Sequence, residues 1–365
     1  MNAHGGGRGT PSFRLAGQDD RTEWDGFVAA RAEADPLQTW AWGAANGAAG
    51  EHPLRGLVAR PDGRTAGVAQ LLVRPAGLGR AVGYVPHGPV WDRSADDAGE
   101  ILRTLLDGLR AEAARRRVIV VKVDPRANVN GDADVVSRTL HANGLRPARH
   151  DLQARATRVL DLLDGGDELM ATWDKDARNL VRRSTREGVV TETDRRGDAA
   201  AIGSFHELLE TTSSRAGFRT RSVSFLETLA RGLAPDGGWF LTLARLDDRP
   251  IAGAVALRTG ERAIYAYGAS LREPGLKHAN GAYAALAATM HELAADGVRT
   301  LDLWGVVEPD DPDADASWAG FSAFKRQFGG TPLRHPGTFD LVVSPTWNAI
   351  REARERFIER VSRSR

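Results

Sequence analysis

Lys325 is the residue that most narrows the chemistry of this chain. It closes a run that begins at Tyr265-Ala266-Tyr267-Gly268-Ala269-Ser270 and passes Asn280, Tyr283 and Leu301-Asp302-Leu303-Trp304-Gly305. The run ends in Phe324-Lys325-Arg326-Gln327-Phe328-Gly329-Gly330. Of 49 Lys and Arg residues only four are lysine, namely Lys122, Lys175, Lys277 and Lys325. A chain that writes nearly every cation as arginine keeps here a compact, flexible ammonium in place of a planar fork. Such a cation suits a charge that is only transient better than a planar guanidinium does. The plain alternative is a solvated lysine on a helix.

Other polar groups fall into clusters. Lys175, Arg178, Arg182 and Arg186 recur at three- or four-residue spacing, on one face of an expected helix. That stripe can meet nucleic-acid phosphates, although a solvated helix face accounts for the same pattern. Arg215, Arg219 and Arg221 gather around Gly217, where a guanidinium fork suits phosphate. His87 sits in a Pro86-His87-Gly88-Pro89 loop and reads as polar surface, and Asp302 reads as a carboxylate that lines a cleft or orders a loop. Trp40, Trp91, Trp173, Trp239 and Trp304 read as core. Asp310, Asp311, Asp313 and Asp315 lack the glycine and the closing glutamate of a calcium loop. No Ser-His-Asp arrangement stands out, no clear acetyl-CoA glycine signature precedes Gly281, and no metal or cofactor is implied.

Around these groups the chain is ordinary. Its 365 residues carry a formal charge of +1, which excludes a generally basic nucleic-acid coat, and no cysteine, which excludes disulfides and thiolate chemistry. The absence of cysteine fits a reducing, cytoplasmic setting. Met1–Thr10 has no apolar core and does not read as a secretory signal; it is expected to be disordered. No apolar run reaches the length of a transmembrane helix.

The elements that must position Lys325 follow from periodicity. Helices are expected at Asp20–Ala34, Leu37–Ala49, Ala95–Arg116 and Asp132–Asn143, with strands at Ser12–Ala16, Leu54–Arg60, Thr65–Arg74, Val82–Val85 and Val118–Val123. A second half repeats the logic. It has a strand at Arg158–Leu162, helices at Lys175–Glu187, Ala199–Thr212, Val223–Leu233 and Gly281–Ala295, and an antiparallel meander of Trp239–Arg245, Ile251–Arg258 and Ala263–Tyr267. A strand at Thr300–Leu303 leads to a helix at Trp318–Phe328 and a loop delivering Lys325. The chain ends in an amphipathic helix, Trp347–Val361, with Ile350, Phe357, Ile358 and Val361 on one side. Each half is therefore α+β, with helices packed on a mixed, mainly antiparallel sheet.

The order of these pieces resembles the FemABX family of Fem-type aminoacyltransferases. The resemblance runs from about Leu37 to Phe357 through Gln38-Thr39-Trp40-Ala41-Trp42, His87-Gly88-Pro89-Val90, Val123-Asp124-Pro125, the Lys175–Val190 helix and strand, and the Lys325 run. It implies two tandem acetyltransferase-like (GNAT-like) domains without the long coiled-coil arm of some members. One domain comprises residues 11–155 plus 340–365 on the acceptor side, and the other 156–339 on the donor side. The implied reaction moves an amino acid from aminoacyl-tRNA to a peptidoglycan precursor, lipid-linked or UDP-linked, or else to a small peptide acceptor. An enzyme of this kind works in the cytoplasm, peripheral to the membrane when its acceptor is lipid-linked. By the same resemblance Lys325 lies near the aminoacyl ester with Tyr267 close by, Arg221 holds precursor phosphate and Asp124 lines the cleft between domains. Trp42 and Tyr283 join the substrate set, and the Lys175 stripe meets tRNA. Two positions depart from the family pattern. Asn46 stands where a phosphate-binding lysine is usual, with Ala44 as the other candidate position, and Phe225 stands where a tyrosine is usual.

Overall fold

The computed structural model describes residues 10–128, 131–162, 166–217, 219–276, 278–308 and 318–363. Expectations for residues 1–9, Lys277, Asp310, Asp311, Asp313 and Asp315 lie outside the described residues.

The chain begins β1 (Ser12–Leu15), α1 (Arg21–Ala29), α2 (Trp40–Ala48), β2 (His52–Ala59), β3 (Thr65–Gly77), β4 (Arg80–Val85), β5 (Val90–Trp91), α3 (Ala98–Arg115), β6 (Val118–Val123), α4 (Ala133–Ala142) and β7 (Arg146–Pro147). It continues β8 (Ala156–Asp161), α5 (Gly166–Ala171), α6 (Lys175–Arg186), β9 (Val190–Asp194), α7 (Ala199–Ala216), α8 (Val223–Leu233), β10 (Trp239–Leu246), β11 (Arg249–Thr259) and β12 (Arg262–Ser270). The last elements are α9 (Gly281–Ala295), β13 (Thr300–Asp302), α10 (Ala319–Arg326), β14 (Thr331–Arg334), β15 (Phe339–Val342) and α11 (Pro345–Arg363).

Two sheets result. The first runs β1-β2-β3-β4-β6-β15-β7, with β5 beside β3; the second runs β14-β8-β13-β12-β11-β10-β9. Each holds a parallel pair, β4 with β6 and β12 with β13, among otherwise antiparallel neighbours. The helix α3 lays Ile101, Leu102, Leu105, Leu106 and Leu109 on the first sheet, and each such buried side chain contributes roughly 1.5–3 kcal/mol. The second sheet is covered on both faces, by α9 on one side and by α7 with α8 on the other. Its interior strand β11 is consequently buried along most of its length instead of alternating. Space there is short: a Cβ on Gly253 would lie 2.7 Å from the Phe205 ring.

The two halves share apolar core as well. Leu37, Ala41, Trp42 and Ala45 of the first half sit in one cluster with Phe205, Phe225, Leu226 and Leu229 of the second. At this seam α2 approaches α8 so closely that a Cβ on Gly232 would stand 2.6 Å from the Ala41 methyl.

Several elements differ from the sequence expectation for local reasons. The helix expected from Leu37 starts at Trp40, because Pro36–Gln38 forms a 3₁₀ turn and Thr39, extended at φ −70° and ψ 156°, caps α2 by accepting from the Trp42 amide. The first helix stops at Ala29. The strands β7, β14 and β15 and the short helix α5 were not anticipated. Finally, Ala266 is an extra residue in β12: Val255 pairs with Tyr267 while Ala256 pairs with Tyr265.

Candidate active site

That bulge decides which tyrosine meets the lysine. With an unbroken two-residue period Tyr265 and Tyr267 would share a face. With Ala266 inserted, Tyr265 joins the core under α9 and Tyr267 packs on the α7/α8 side. The aromatic neighbour of Lys325 is therefore Tyr265, whose ring centroid is 5.6 Å from Nζ, and the expected Tyr267 pairing is corrected. Tyr267 instead accepts a hydrogen bond from Arg221, and burial pushes its hydroxyl pKa up.

Lys325 is carried by the last turn of α10, not by a loop. Its side chain is 2% exposed. Nζ donates to the Trp304 carbonyl at 2.7 Å and the Gly305 carbonyl at 3.1 Å, and lies 3.7 Å from the Phe321 ring centroid. Both carbonyls follow β13, where Trp304 at φ 50° and Gly305 at φ 20° turn the chain left-handed. The pairing of β12 with β13 stops at Ile264 and Asp302, so the lysine occupies the place where these strands part. No carboxylate of the described residues lies within ion-pair distance of Nζ. Burial pushes the ammonium pKa well below its ordinary value, and the charge of Asp302 opposes that shift only in part.

Next to this pocket lies a hub that the sequence reading did not assemble. Arg126 donates from Nη1 to Asp35 Oδ2 at 2.7 Å and from Nη2 to Asp302 Oδ2, which joins the two halves through one guanidinium. His87 Nδ1 bonds Asp35, so His87 is a buried partner and not polar surface. Asp302 also accepts from the Thr157 hydroxyl and, at 2.6 Å, from the Trp304 amide. It thereby orders the turn that presents carbonyls to Lys325. Burial opposes ionisation of Asp35, but the charges of His87 and Arg126 outweigh it and hold that carboxyl below its usual range. Asp302 follows the same pattern, with burial opposed first by the charge of Arg126 and then by the hydrogen bonds from Thr157 and the Trp304 amide. Burial, then the charge of Arg126, pushes His335 down to about 3, so the ring is neutral and Nδ1 accepts from the Ala127 amide at 3.2 Å.

Asp124 lies beside the hub. It accepts from the Tyr84 hydroxyl at 2.7 Å and from the Thr338 hydroxyl, and burial raises its pKa. With His87, Gln153 and His335 it lines a crevice of about 10 Å³ between the halves, at the lower limit for one water.

The remaining expected site residues divide. Arg221 lies 4.6 Å from the Phe225 ring centroid and 5.8 Å from that of Trp42, with no acidic partner among the described residues. Trp42, Asn46 and Phe225 are 3%, 0% and 0% exposed. Trp42 and Phe225 meet edge to face at 5.6 Å, and Asn46 Nδ2 donates to the Trp42 carbonyl. Tyr283 is partly buried, donates to Gln327 Oε1 at 2.7 Å and packs edge-on against Phe324. Lys175, Arg182 and Arg186 are exposed on α6 and Arg178 partly so. None of the four has an acidic partner among the described residues. Their helix starts beside the lysine, because the Asp174 amide donates to the Gln327 carbonyl at 2.8 Å.

A model described as "FemAB family" matches residues 20–247 and one described as "Acetyltransferase (GNAT) domain" matches 174–326. The chain belongs to the FemAB family. A curated relative, "Lipid II:glycine glycyltransferase" of Staphylococcus aureus (strain USA300), is 26% identical over 412 aligned positions, covering 92% of this chain and 94% of that protein. The solved structure entitled "Crystal structure of FemX" superposes with a TM-score of 0.79 at 23% identity, over 93% of this chain and 99% of that one. A tandem GNAT protein from the clavulanic acid biosynthesis pathway superposes at 0.53 and 15% identity, over 92% of this chain and 99% of that one. The fold of this FemAB member is thus two GNAT-like units, with mixed sheets flanked by helices. No described helix is long and apolar enough to cross a membrane.

Proposed function

We propose that this protein is an aminoacyltransferase that moves an amino acid from aminoacyl-tRNA to the amine of a peptidoglycan-precursor stem peptide, building part of an interpeptide bridge. The observation that carries this reading is the buried setting of Lys325. A buried ammonium with two oxygen acceptors and no described carboxylate partner is a donor held ready for an oxygen that becomes negative. The names of the curated relatives, lipid II:glycine glycyltransferases, support the acceptor class.

In this reaction the acceptor nitrogen forms a bond to the ester carbonyl carbon, and the carbonyl oxygen gains charge that Lys325 balances. The ester C–O bond then breaks, the tRNA ribose oxygen leaves and takes up a proton, and the amine gives one up. No covalent enzyme intermediate is needed. Asp302 acts through the Trp304–Gly305 turn, Arg221 meets acceptor phosphate, and the α6 stripe meets tRNA with salt-sensitive affinity.

A second reading changes the acceptor to a small peptide or amino compound of natural-product biosynthesis. It is favoured by Asn46 and Phe225, which stand where a lysine and a tyrosine are usual and leave Arg221 without a neighbouring lysine at the phosphate position. A reading from another class, a non-catalytic module that binds precursor or RNA, is separated by Lys325→Ala: lost transfer with intact binding supports the enzyme.

The deciding experiment supplies radiolabelled aminoacyl-tRNAs with lipid-linked precursor, its UDP-linked form and free peptides. Label on the precursor stem, abolished by ribonuclease pretreatment, is the expected result. Label on free peptides alone would transfer the case to the second reading, and label that survives ribonuclease would remove tRNA as donor.

A further inference from the structure

The C-terminal helix α11 is built inside out. The face turned to the protein is polar: Asn348 is buried and Arg351, Glu352, Glu355 and Glu359 are partly so. These groups are answered by the body of the protein or along the helix. Arg351 pairs with Asp340 at 3.6 Å and with Glu355 at 2.6 Å, Glu359 binds Arg149 and His150, and Glu352 accepts from Asn348. The outward face carries Ile350, Phe357 and Ile358, which are 53%, 67% and 51% exposed. Positions 350, 354, 357 and 358 share one side at helical spacing. The sequence shows this apolar row, and amphipathic helices normally turn such a row inward. Here it is outward.

The charges beside the row say what covers it. Every acid of α11 lies on the inward face, whereas Arg354, within the row, and Arg360, at its flank, are exposed and have no acidic partner among the described residues. The cleft of about 410 Å³ under the helix is mixed in charge: Asp340, Glu352 and Glu355 line it, Arg149 and Arg356 are paired with Glu359 and Glu352, and Arg146 has no acidic partner among the described residues. A second copy laid on this face by twofold symmetry would bring Arg354 towards a surface with no acid to receive it. An apolar row with flanking arginines instead matches the boundary between headgroups and acyl chains of an anionic bilayer.

We propose that α11 seats this protein on an anionic lipid surface, with Ile350, Phe357 and Ile358 entering the headgroup boundary and Arg354 and Arg360 meeting lipid phosphates. The inference rests on the helix and not on the transfer reaction. A lipid-linked acceptor would give such docking a purpose, and a soluble acceptor would not remove it.

Sedimentation of the full chain with vesicles tests it without any transfer assay, so failure here leaves the transfer reading intact. Binding to vesicles containing phosphatidylglycerol at low salt should exceed binding to pure phosphatidylcholine and fall as salt rises. Phe357→Ser combined with Ile358→Ser should lower partition about ten-fold or more, and Arg354→Glu or Arg360→Glu about five-fold each. These residues are exposed, so circular dichroism and the Tm of the variants should match the parent, which separates lost docking from lost folding. Three results would overturn the proposal: no binding to phosphatidylglycerol vesicles at low salt, equal partition of parent and variants, or a dimer in sedimentation equilibrium that the double serine variant abolishes.

Discussion

Two cations lie buried near the seam between the halves, and their surroundings are opposite. Arg126 is gripped by two carboxylates, and despite burial the charges of Asp302 and Asp35 raise its pKa. Lys325 is as deep, yet its partners are two carbonyls and an aromatic face, and its pKa falls. A buried cation with full counter-charge is a fastener that loses heavily when one member is removed. A buried cation with only dipoles around it is held at a cost, and it gains when a new negative charge arrives. The first arrangement ties the halves together; the second is the one suited to chemistry.

The contrast can be broken most forcefully at the fastener. Arg126→Met leaves Asp35 and Asp302 buried without their cation and should cost about 3–5 kcal/mol in urea unfolding. Arg126→Lys should recover only part, because one ammonium cannot reproduce a fork that reaches both carboxylates. Near-normal stability of the methionine variant would show that the clasp is not structural.

Lys325→Met should do the reverse. Transfer falls about 100- to 1,000-fold, while stability at neutral pH holds or rises, because the substitution removes a poorly compensated buried charge. In the parent the folded chain releases the Lys325 proton before the unfolded chain does. Stability should therefore climb with pH from the lowered pKa towards 10.5, by at most about 1.4 kcal/mol per unit, and the methionine variant should lack that slope. A variant that unfolds like Arg126→Met would erase the distinction.

His335 sharpens the comparison at acid pH. Its pKa is 6.5 when unfolded and about 3 when folded. The stability it contributes is complete above 6.5 and is lost as pH falls through 3, with a slope of at most about 1.4 kcal/mol per unit. His335→Gln should flatten the unfolding profile between those values. The smallest effect is expected on α6: Arg182→Glu should weaken tRNA binding a few-fold in a filter assay and reduce its salt slope, with the unfolding midpoint unchanged.

Legibility in the sequence followed locality. The helices α8 and α9 start and end where the sequence puts them, one capped by Ser222 and the other stopped at Asp296-Gly297. The meander was legible because Asp247-Asp248 and Gly260 mark its turns. The strands β7, β14 and β15 were not, since each is two to four residues long and two of them contain proline. The bulge at Ala266 left no periodic trace, and so the wrong tyrosine was set beside Lys325. The Asp35–His87–Arg126–Asp302 hub joins positions 52, 91 and 176 residues apart, and nothing local announces such a pairing. One cue was near to hand, because Arg126 stands two residues from Asp124, which the family resemblance had singled out. His87 reads as surface from its Gly/Pro loop, yet that loop folds inward onto Asp35.

The position of β15 bears on how the molecule is made. This strand, followed only by α11, lies between β6 and β7 of the first sheet. During synthesis β6 and β7 emerge long before the strand that will separate them. The first sheet must wait with a gap next to its β7 edge while the second half is translated and folds. The amino-terminal unit is therefore the last to be finished, and a ribosome-bound chain stopped before Phe339 would present an unpaired β6 edge to chaperones.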